Sequence, residues 1–157
     1  MAYDASMDLA DIMATTFASV SPDMSIAEAA RHMIEIDTGA AAVIEDESLI
    51  GMISERDLLR FLSAGASPEA KVSDRMTRHV LTASASTSLP EAMAMMVDGH
   101  FRHLPIVDHG RVIGMISMRD LMAWAALRLR HGAFDADDDV DTAELLATIH
   151  RMRTGAA

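Results

Sequence analysis

The stretch IGMISERDL at residues 50–58 recurs as IGMISMRDL at residues 113–121, 63 positions later in the chain. Residues 11–58 align with residues 74–121 at this spacing without a gap, and 15 of the 48 aligned pairs are identical. Chance would produce only a few identities over that length. The chain therefore contains two copies of one unit, and the repeat is the starting point for predicting the fold.

Both copies show the same order of predicted elements. A β-prone piece is followed by a helix, opened by the capping-box pattern Ser-x-x-Glu, then by two short apolar strands joined by a polar turn, and then by a second helix. One copy alone would expose a face of its sheet, so we expect an α/β (α+β) fold in which two β-α-β-β-α units pack together. The predicted strands are residues 17–20, 41–44 and 49–53 in the first copy and residues 80–82, 104–107 and 112–116 in the second; the first helices begin after Ser25 and Ser88, and the second helices begin at Ser54 and Ser117.

The repeat also predicts the organisation of the chain. Residues 1–8 form a lead-in, with a short helix expected at residues 6–13, and residues 65–71 form a Gly- and Pro-containing linker between the repeats. The first repeat spans residues 9–64 and the second spans residues 72–128. Residues 129–157 hold an acidic segment and a C-terminal helix, whose expected cap is Asp141-x-x-Glu144.

Composition and charge exclude several functional classes. The 24 acidic and 13 basic residues give a net charge of −11, which disfavours binding to a polyphosphate backbone. The absence of Cys excludes disulfides and thiolate chemistry. No apolar run approaches the roughly 20 residues that span a bilayer, and the N-terminus lacks the basic flank of a secretory signal. We therefore expect a cytoplasmic protein that binds neither nucleic acid nor membrane.

The repeats resemble a tandem pair of cystathionine beta-synthase (CBS) domains, often called a Bateman module. The resemblance rests on the D-x-M opening of each repeat, on SPDMSIAEAARHM and FRHLPIVDHGRVIGMISMRDL, and on G-x-x-S-x-x-D at residues 51–57 and 114–120. It implies two units packed through their sheets with pseudo-two-fold symmetry. It also implies clefts that bind adenosine-containing ligands, and pairing of modules into homodimers.

The Ser-x-x-Asp turns are the candidate binding elements, and they permit two interpretations. A Ser at an N-cap with an Asp three residues later is an ordinary way to begin a helix. A helix N-terminus also attracts phosphate or hydroxyl oxygens, and an Asp there can accept both hydroxyls of a ribose. The resemblance favours the second interpretation, because the family commonly binds ribose at the positions that match Asp57 and Asp120.

Two unequal sites follow from the resemblance. Site A would combine the first turn with a basic pair that suits phosphate. Site B lacks such a pair, so we expect it to be empty or to take a ligand with fewer phosphates. Site A comprises Ser54, Asp57, Val80, Leu81, Arg102 and His103; site B comprises Ser117, Asp120, Ser19, Val20, Thr38 and Gly39; and Arg56 and Arg119, beside the two Asp residues, are weaker phosphate candidates.

No enzymatic machinery is expected. The chain shows no nucleophile–base pair, no metal-ligand motif and no Walker-type loop, so catalytic and metal sites are both predicted to be absent. The resulting hypothesis is a regulatory module that binds AMP, ADP or ATP, with S-adenosylmethionine and NAD as further candidates and Mg²⁺ as an accompanying ion. It would pass the signal to an effector protein that the sequence does not identify. The alternative is a constitutive dimerisation or adaptor module with vestigial pockets.

Overall fold

The computed structural model describes residues 8–130, with side chains described through residue 126. The predicted acidic segment and C-terminal helix lie outside these residues. The chain divides into two compact units. We call Ala14–Ala83 with Pro105–Met115 the first unit, and the rest of the chain, described for residues 8–13, 84–104 and 116–130, the second unit.

The elements follow the repeat predicted from the sequence, giving a mixed α/β fold with two related halves. Of the predicted lead-in helix, the described part, residues 8–13, is helical at Leu9–Ile12. In chain order the elements are α1 (Leu9–Ile12), β1 (Ser19–Val20), α2 (Ile26–Glu35), β2 (Ala40–Glu45), β3 (Ser48–Ser54), α3 (Glu55–Ser63), a 3₁₀ turn (Val72–Asp74), α4 (Leu89–Gly99), β4 (His103–Asp108), β5 (Arg111–Ser117) and α5 (Met118–Arg130).

Both predicted hairpins are present. Strands β2 and β3 pair antiparallel around Asp46 and Glu47, whose φ angles are 46° and 64°. Strands β4 and β5 form a two-stranded sheet around His109 and Gly110, with φ angles of 48° and 83°. Two consecutive positive φ angles are typical of the type I′ turn, whose twist suits a two-residue hairpin.

The first strand differs between the repeats. Strand β1 pairs parallel with β2, and the N–H of Ala42 donates to the carbonyl of Ala18 at 2.9 Å. The predicted strand at residues 80–82 does not form; only Ala83 makes an isolated bridge, to Ile106. The residue that matches Ala42 is Pro105, which has no N–H to donate, so the second repeat lacks the equivalent ladder bond.

The helix starts also differ between the repeats. Ser25 and Glu28 form both bonds of the capping box at the start of α2, as predicted. At the start of α4, the Ser88 hydroxyl oxygen accepts the N–H of Glu91 at 3.4 Å, and the described structure shows no return bond from the Ser88 N–H to the Glu91 carboxylate. The second predicted capping box is therefore only half formed.

The core of the first unit lies on both faces of its three-stranded sheet. One cluster packs α2, α3 and the segment after the linker against the sheet, and includes Val43, Ile53 and the fully buried Val72. The other cluster joins Ala42 and Met52 to Met115 of β5. Part of the second repeat's hairpin thus packs on the first repeat's sheet, within one compact unit.

The predicted linker is packed on the first repeat. The carbonyls of Pro68 and Ala70 accept the N–H groups of Ala27 and Ile26, two of the donors that a helix N-terminus leaves unsatisfied. Lys71 adds a 2.6 Å ion pair to Asp23. Among residues 8–130, no helix has the length and apolarity required to cross a bilayer.

Candidate functional site

The turn at Ser54 joins β3 to α3 and closes as a capping box. The Ser54 N–H and hydroxyl donate to Oδ2 of Asp57 at 2.9 and 2.7 Å, and the Asp57 N–H donates to Ser54 Oγ at 3.3 Å. These bonds satisfy a donor at the helix start and fix the carboxylate beside the first turn of α3. They leave Oδ1 of Asp57 as the oxygen directed away from Ser54.

The turn at Ser117 has the same local geometry. The Ser117 N–H and hydroxyl both donate to Oδ2 of Asp120 at 2.8 Å, and the Asp120 N–H donates back at 3.2 Å. Both turns therefore cap the helices that follow them. That geometry is compatible with ligand binding, so it does not choose between the two interpretations.

The two turns differ in accessibility and in their neighbours. The exposed fraction of the Asp57 side chain is 19%, whereas that of the whole Asp120 residue is 3%. One turn further along the helix, the first repeat has the exposed Arg60, and the matching residue of the second repeat is the buried Ala123. Only the first turn combines a reachable carboxylate with a neighbouring cation on its own helix.

A groove in the first unit begins at Asp57. It has a volume of about 200 Å³ and runs along α3 to the start of the linker. The Arg75 guanidinium lies 4.6 Å from the centre of the Phe61 ring, a cation–π distance. The Arg60 Nη1 lies 4.0 Å from Asp57 Oδ1. The lining residues are Asp57, Arg60, Phe61, Ala64, Ala66 and Arg75.

The position of Arg75 is fixed by the segment that follows the linker. The N–H of Val72 donates to Met24, and Thr77 and Met52 exchange backbone bonds of 2.8 and 2.9 Å. This segment crosses β3 at Gly51, where an added Cβ would lie 2.6 Å from Met76 Sδ and 2.9 Å from the Thr77 carbonyl oxygen. The glycine of the G-x-x-S-x-x-D motif therefore permits the crossing that places Arg75 over Phe61.

The residue before each hairpin is tied to the helix of its own repeat. The Gly39 carbonyl accepts the Glu55 N–H at 3.0 Å, and the Arg102 carbonyl accepts the Met118 N–H at 2.8 Å. The backbones of these two predicted site residues thus lie at the starts of α3 and α5, respectively. The predicted grouping of Arg102 and His103 with Asp57 stays a prediction.

The other predicted residues are placed in the fold as follows. Leu81 is 54% exposed and Val20 is 3% exposed, while Val80 packs against the cluster that contains Met52 and Met115. Ser19 is exposed on β1, the Thr38 hydroxyl donates to the Ala40 carbonyl at 3.2 Å, His103 begins β4, and Arg56 and Arg119 are exposed on α3 and α5.

Sequence reasoning missed Arg60, Phe61 and Arg75. Arg60 and Phe61 follow Asp57 by three and four residues, so helical spacing alone indicates that they share its face. Arg75 is the middle residue of the D-x-M opening of the second repeat, a motif that supports the family resemblance and does not indicate a binding residue. Its contact with Phe61 joins residues 14 positions apart, and the sequence contains no signal for that distance.

Glu28 and Lys71 have shifted pKa values. The Ser25 hydroxyl and N–H hold the pKa of Glu28 below its usual value of 4.5, and the Asp23 carboxylate raises the pKa of Lys71. Among residues 8–130, no group of three or more His, Cys, Asp or Glu side chains is placed to hold a metal ion.

The fold and the Ser-x-x-Asp turn in each repeat define a tandem-repeat module of the α/β class. The CBS domain family matches residues 9–64 and 72–127, and the chain belongs to this family. The pairs of this family are in general regulatory ligand-binding modules rather than catalysts.

Individual relatives agree with this assignment. The CBS domain-containing protein YhcV of Bacillus subtilis is 36% identical over 112 residues, which cover 71% of this chain and 80% of YhcV. The CBS-domain containing protein ATU1752 from Agrobacterium tumefaciens superposes with a TM-score of 0.67 at 31% identity, covering 71% and 90% of the two chains. The cytosolic domain of the Mg²⁺ channel MgtE, solved with ATP, gives a TM-score of 0.61 at 26% identity, covering 71% and 46%.

Proposed function

We propose that this protein is a regulatory module that binds an adenosine-containing nucleotide at the Ser54–Asp57 turn and signals to a partner protein. The observation that carries the proposal is the Asp57 carboxylate, fixed at a helix start, partly exposed and open to a groove with two guanidinium groups. A carboxylate in this position can accept ribose hydroxyls. The MgtE domain, a relative solved with ATP, supports the ligand class.

The arrangement suits a regulator. A ligand changes the equilibrium between two shapes only if it binds them with different affinity. The groove is built from α3 and from the segment after the linker, so a bound ligand would contact both and could favour one arrangement of the segment over another. The proposal includes an effector protein that recognises this change in arrangement.

Thermal shift tests the ligand class. A ligand at one hundred times its Kd stabilises the folded state by about 2.7 kcal/mol. We expect AMP, ADP or ATP to raise the melting temperature, with and without Mg²⁺, and S-adenosylmethionine and NAD complete the panel. Asp57→Ala should lose the shift. Asp120→Ala should keep it, because the structure gives its carboxylate little exposure. Absence of any shift across the panel would contradict the proposal.

A second function, homodimerisation, is favoured by a separate observation. Large apolar side chains are exposed at matching positions of the two repeats. Ile34 of α2 and Val97 of α4 are 77% and 57% exposed, and Leu59 of α3 and Met122 of α5 are 66% and 63% exposed. Exposed apolar side chains of this size, repeated on the matching helices of both repeats, are candidates for an association surface. We propose that these helix faces pair two copies of the chain.

Sedimentation equilibrium tests the dimer. The unmodified chain should sediment with twice the monomer mass, and Leu59→Glu should shift it to the monomer because a buried carboxylate opposes association. Leu81→Glu is the control, since Leu81 is 54% exposed and lies outside these helices. A monomeric unmodified chain, or equal effects of both variants, would argue against this interface.

A further inference from the structure

We propose that the groove between Arg60 and Arg75 is a phosphate subsite, which holds a phosphate group of the nucleotide whose ribose lies at Asp57. The identity of the rest of the ligand rests on the proposed function; the anion subsite itself rests on the groove. It differs from the phosphate contacts predicted at Arg102 and His103.

The charge of the groove favours an anion. Its ionisable lining consists of two guanidinium groups and one carboxylate, in a chain with a net charge of −11. One oxygen of the carboxylate, Oδ2 of Asp57, is already engaged by two bonds from Ser54, and the other, Oδ1, is the oxygen left for the ribose. At 4.0 Å and with Arg60 73% exposed, the Arg60–Asp57 pair is weak, so Arg60 can turn toward a ligand at little cost.

Arg75 is prepared for an anion by its contact with Phe61. The guanidinium carbon lies 4.6 Å from the centre of the Phe61 ring, a cation–π contact that restrains the group, and the N–H donors of a guanidinium form a planar fork that suits phosphate. Within residues 8–130 no carboxylate lies within salt-bridge distance of Arg75. Since the segment that carries Arg75 is fixed on the first unit at Val72 and Thr77, these donors are held at the groove before a ligand arrives.

The size of the groove indicates that it holds part of a ligand. Pockets that enclose a whole small molecule have volumes of roughly 300–1,000 Å³. At about 200 Å³ the groove is smaller, and it is continuous with the carboxylate proposed to bind ribose. A phosphate offers more acceptor oxygens to two separate guanidinium forks than a carboxylate does, so we assign the subsite to phosphate.

The second unit provides an internal comparison. By the repeat, the residues that match Arg60 and Arg75 are Ala123 and Ile12, which lie in that unit and are 2% and 1% exposed. Neither can hold an anion. Of the two Ser-x-x-Asp turns, the first alone therefore has the subsite, which gives the two turns different ligand chemistry.

The experiment titrates the full ¹⁵N-labelled chain with inorganic phosphate and follows the arginine Nε–Hε signals. Arg60→Gln and Arg75→Gln assign the two signals. We expect both signals to shift with phosphate, and each variant to lower phosphate affinity about tenfold, the change expected from one lost charge-assisted hydrogen bond. Acetate at equal ionic strength should shift them less. Arg31→Gln, which removes an exposed guanidinium outside the groove, should leave phosphate affinity unchanged.

A further variant separates binding from folding. Arg75→Lys keeps the charge but loses the planar fork, so it should reduce phosphate affinity by less than Arg75→Gln. Melting temperatures of all variants are recorded beside the titrations. Equal phosphate affinity in the unmodified chain and both Gln variants would overturn the subsite, as would a failure of phosphate to shift either signal.

Titration with adenosine and AMP keeps the two proposals distinguishable. The ratio of AMP to adenosine affinity should fall in Arg60→Gln and Arg75→Gln, while adenosine affinity stays constant. If phosphate binds at the groove and neither adenosine nor AMP binds the chain, the adenosine proposal fails and the subsite stands. If adenosine binds and phosphate does not, the reverse holds.

Discussion

The Ser54–Asp57 turn and the Ser117–Asp120 turn have the same sequence pattern and the same three hydrogen bonds, yet they differ in what surrounds them. Asp57 opens to a groove with two arginines, and Asp120 is buried at 3% exposure. The duplicated motif fixed the local geometry in both copies. The neighbouring residues differ, Arg60 against Ala123 and Arg75 against Ile12, and under the proposed function they decide at which turn a ligand binds.

The largest expected effect on stability comes from placing an arginine at position 123, which matches Arg60 in the repeat. Ala123→Arg introduces a guanidinium at a position that is 2% exposed, and we expect the free energy of unfolding to fall by more than about 3 kcal/mol. Arg60→Ala, the opposite change at the matching position, is the control and should alter stability by less than about 0.5 kcal/mol, because Arg60 is 73% exposed. Urea unfolding measures both. Similar losses would show that the two helix positions are equivalent.

Removing each carboxylate gives the next largest effect. Asp120→Ala removes a carboxylate that is 3% exposed and leaves the part-buried N–H and hydroxyl of Ser117 without their acceptor, which should cost about 3 kcal/mol of stability. Asp57→Ala breaks the same bonds at a carboxylate whose side chain is 19% exposed, so water can replace it, and the loss should be about 1 kcal/mol, typical of a helix cap. Chemical denaturation of both variants checks the order, and a larger loss for Asp57→Ala would reverse the comparison.

Adding a methyl group at Gly51 tests whether the close crossing of β3 positions Arg75 at the groove. Gly51→Ala places a methyl group 2.9 Å from the Thr77 carbonyl oxygen, and the resulting overpacking should cost about 2 kcal/mol. Because the displaced segment carries Arg75, the Arg75 Nε signal should also move. Met52→Leu, a volume-conserving change at the next position, is the control and should cost less than about 1.5 kcal/mol. An unchanged stability and Arg75 signal in Gly51→Ala would contradict the proposed crossing.

The sequence was sufficient for the parts of the fold that depend on local pattern. The capping residues located the starts of α2, α3 and α5, and the turn residues located both hairpins. The strand predicted at residues 80–82 failed because its pairing depends on Pro105, more than 20 positions away. Each local pattern was similar in the two copies, so the prediction treated them alike. The difference between the copies is the backbone N–H that Pro105 lacks in the partner strand β4.

The candidate site was also predictable only in part. Ser54 and Asp57 were predicted because the sequence motif coincides with a helix cap. Arg60 could have been predicted, because it follows Asp57 by three residues on the same helix. Arg75 was missed because its contact with Phe61 requires the segment after the linker to cross β3 at Gly51. Such a contact follows from tertiary packing, and no periodicity in the sequence reports it.

The smallest expected effect on stability comes from Glu28→Gln at the start of α2, with the start of α4 as the comparison. Bonds from Ser25 lower the pKa of Glu28, so its stabilising contribution is present above the unfolded value near 4.5 and is lost as the pH falls through the lower folded value. Glu28→Gln should therefore be slightly less stable than the unmodified chain at pH 7, and the difference should shrink below pH 4.5. Urea unfolding between pH 7 and pH 3 measures it. Glu91→Gln is the matched control at α4, and a loss of the same size and pH profile there would contradict the assignment to the Ser25 bonds.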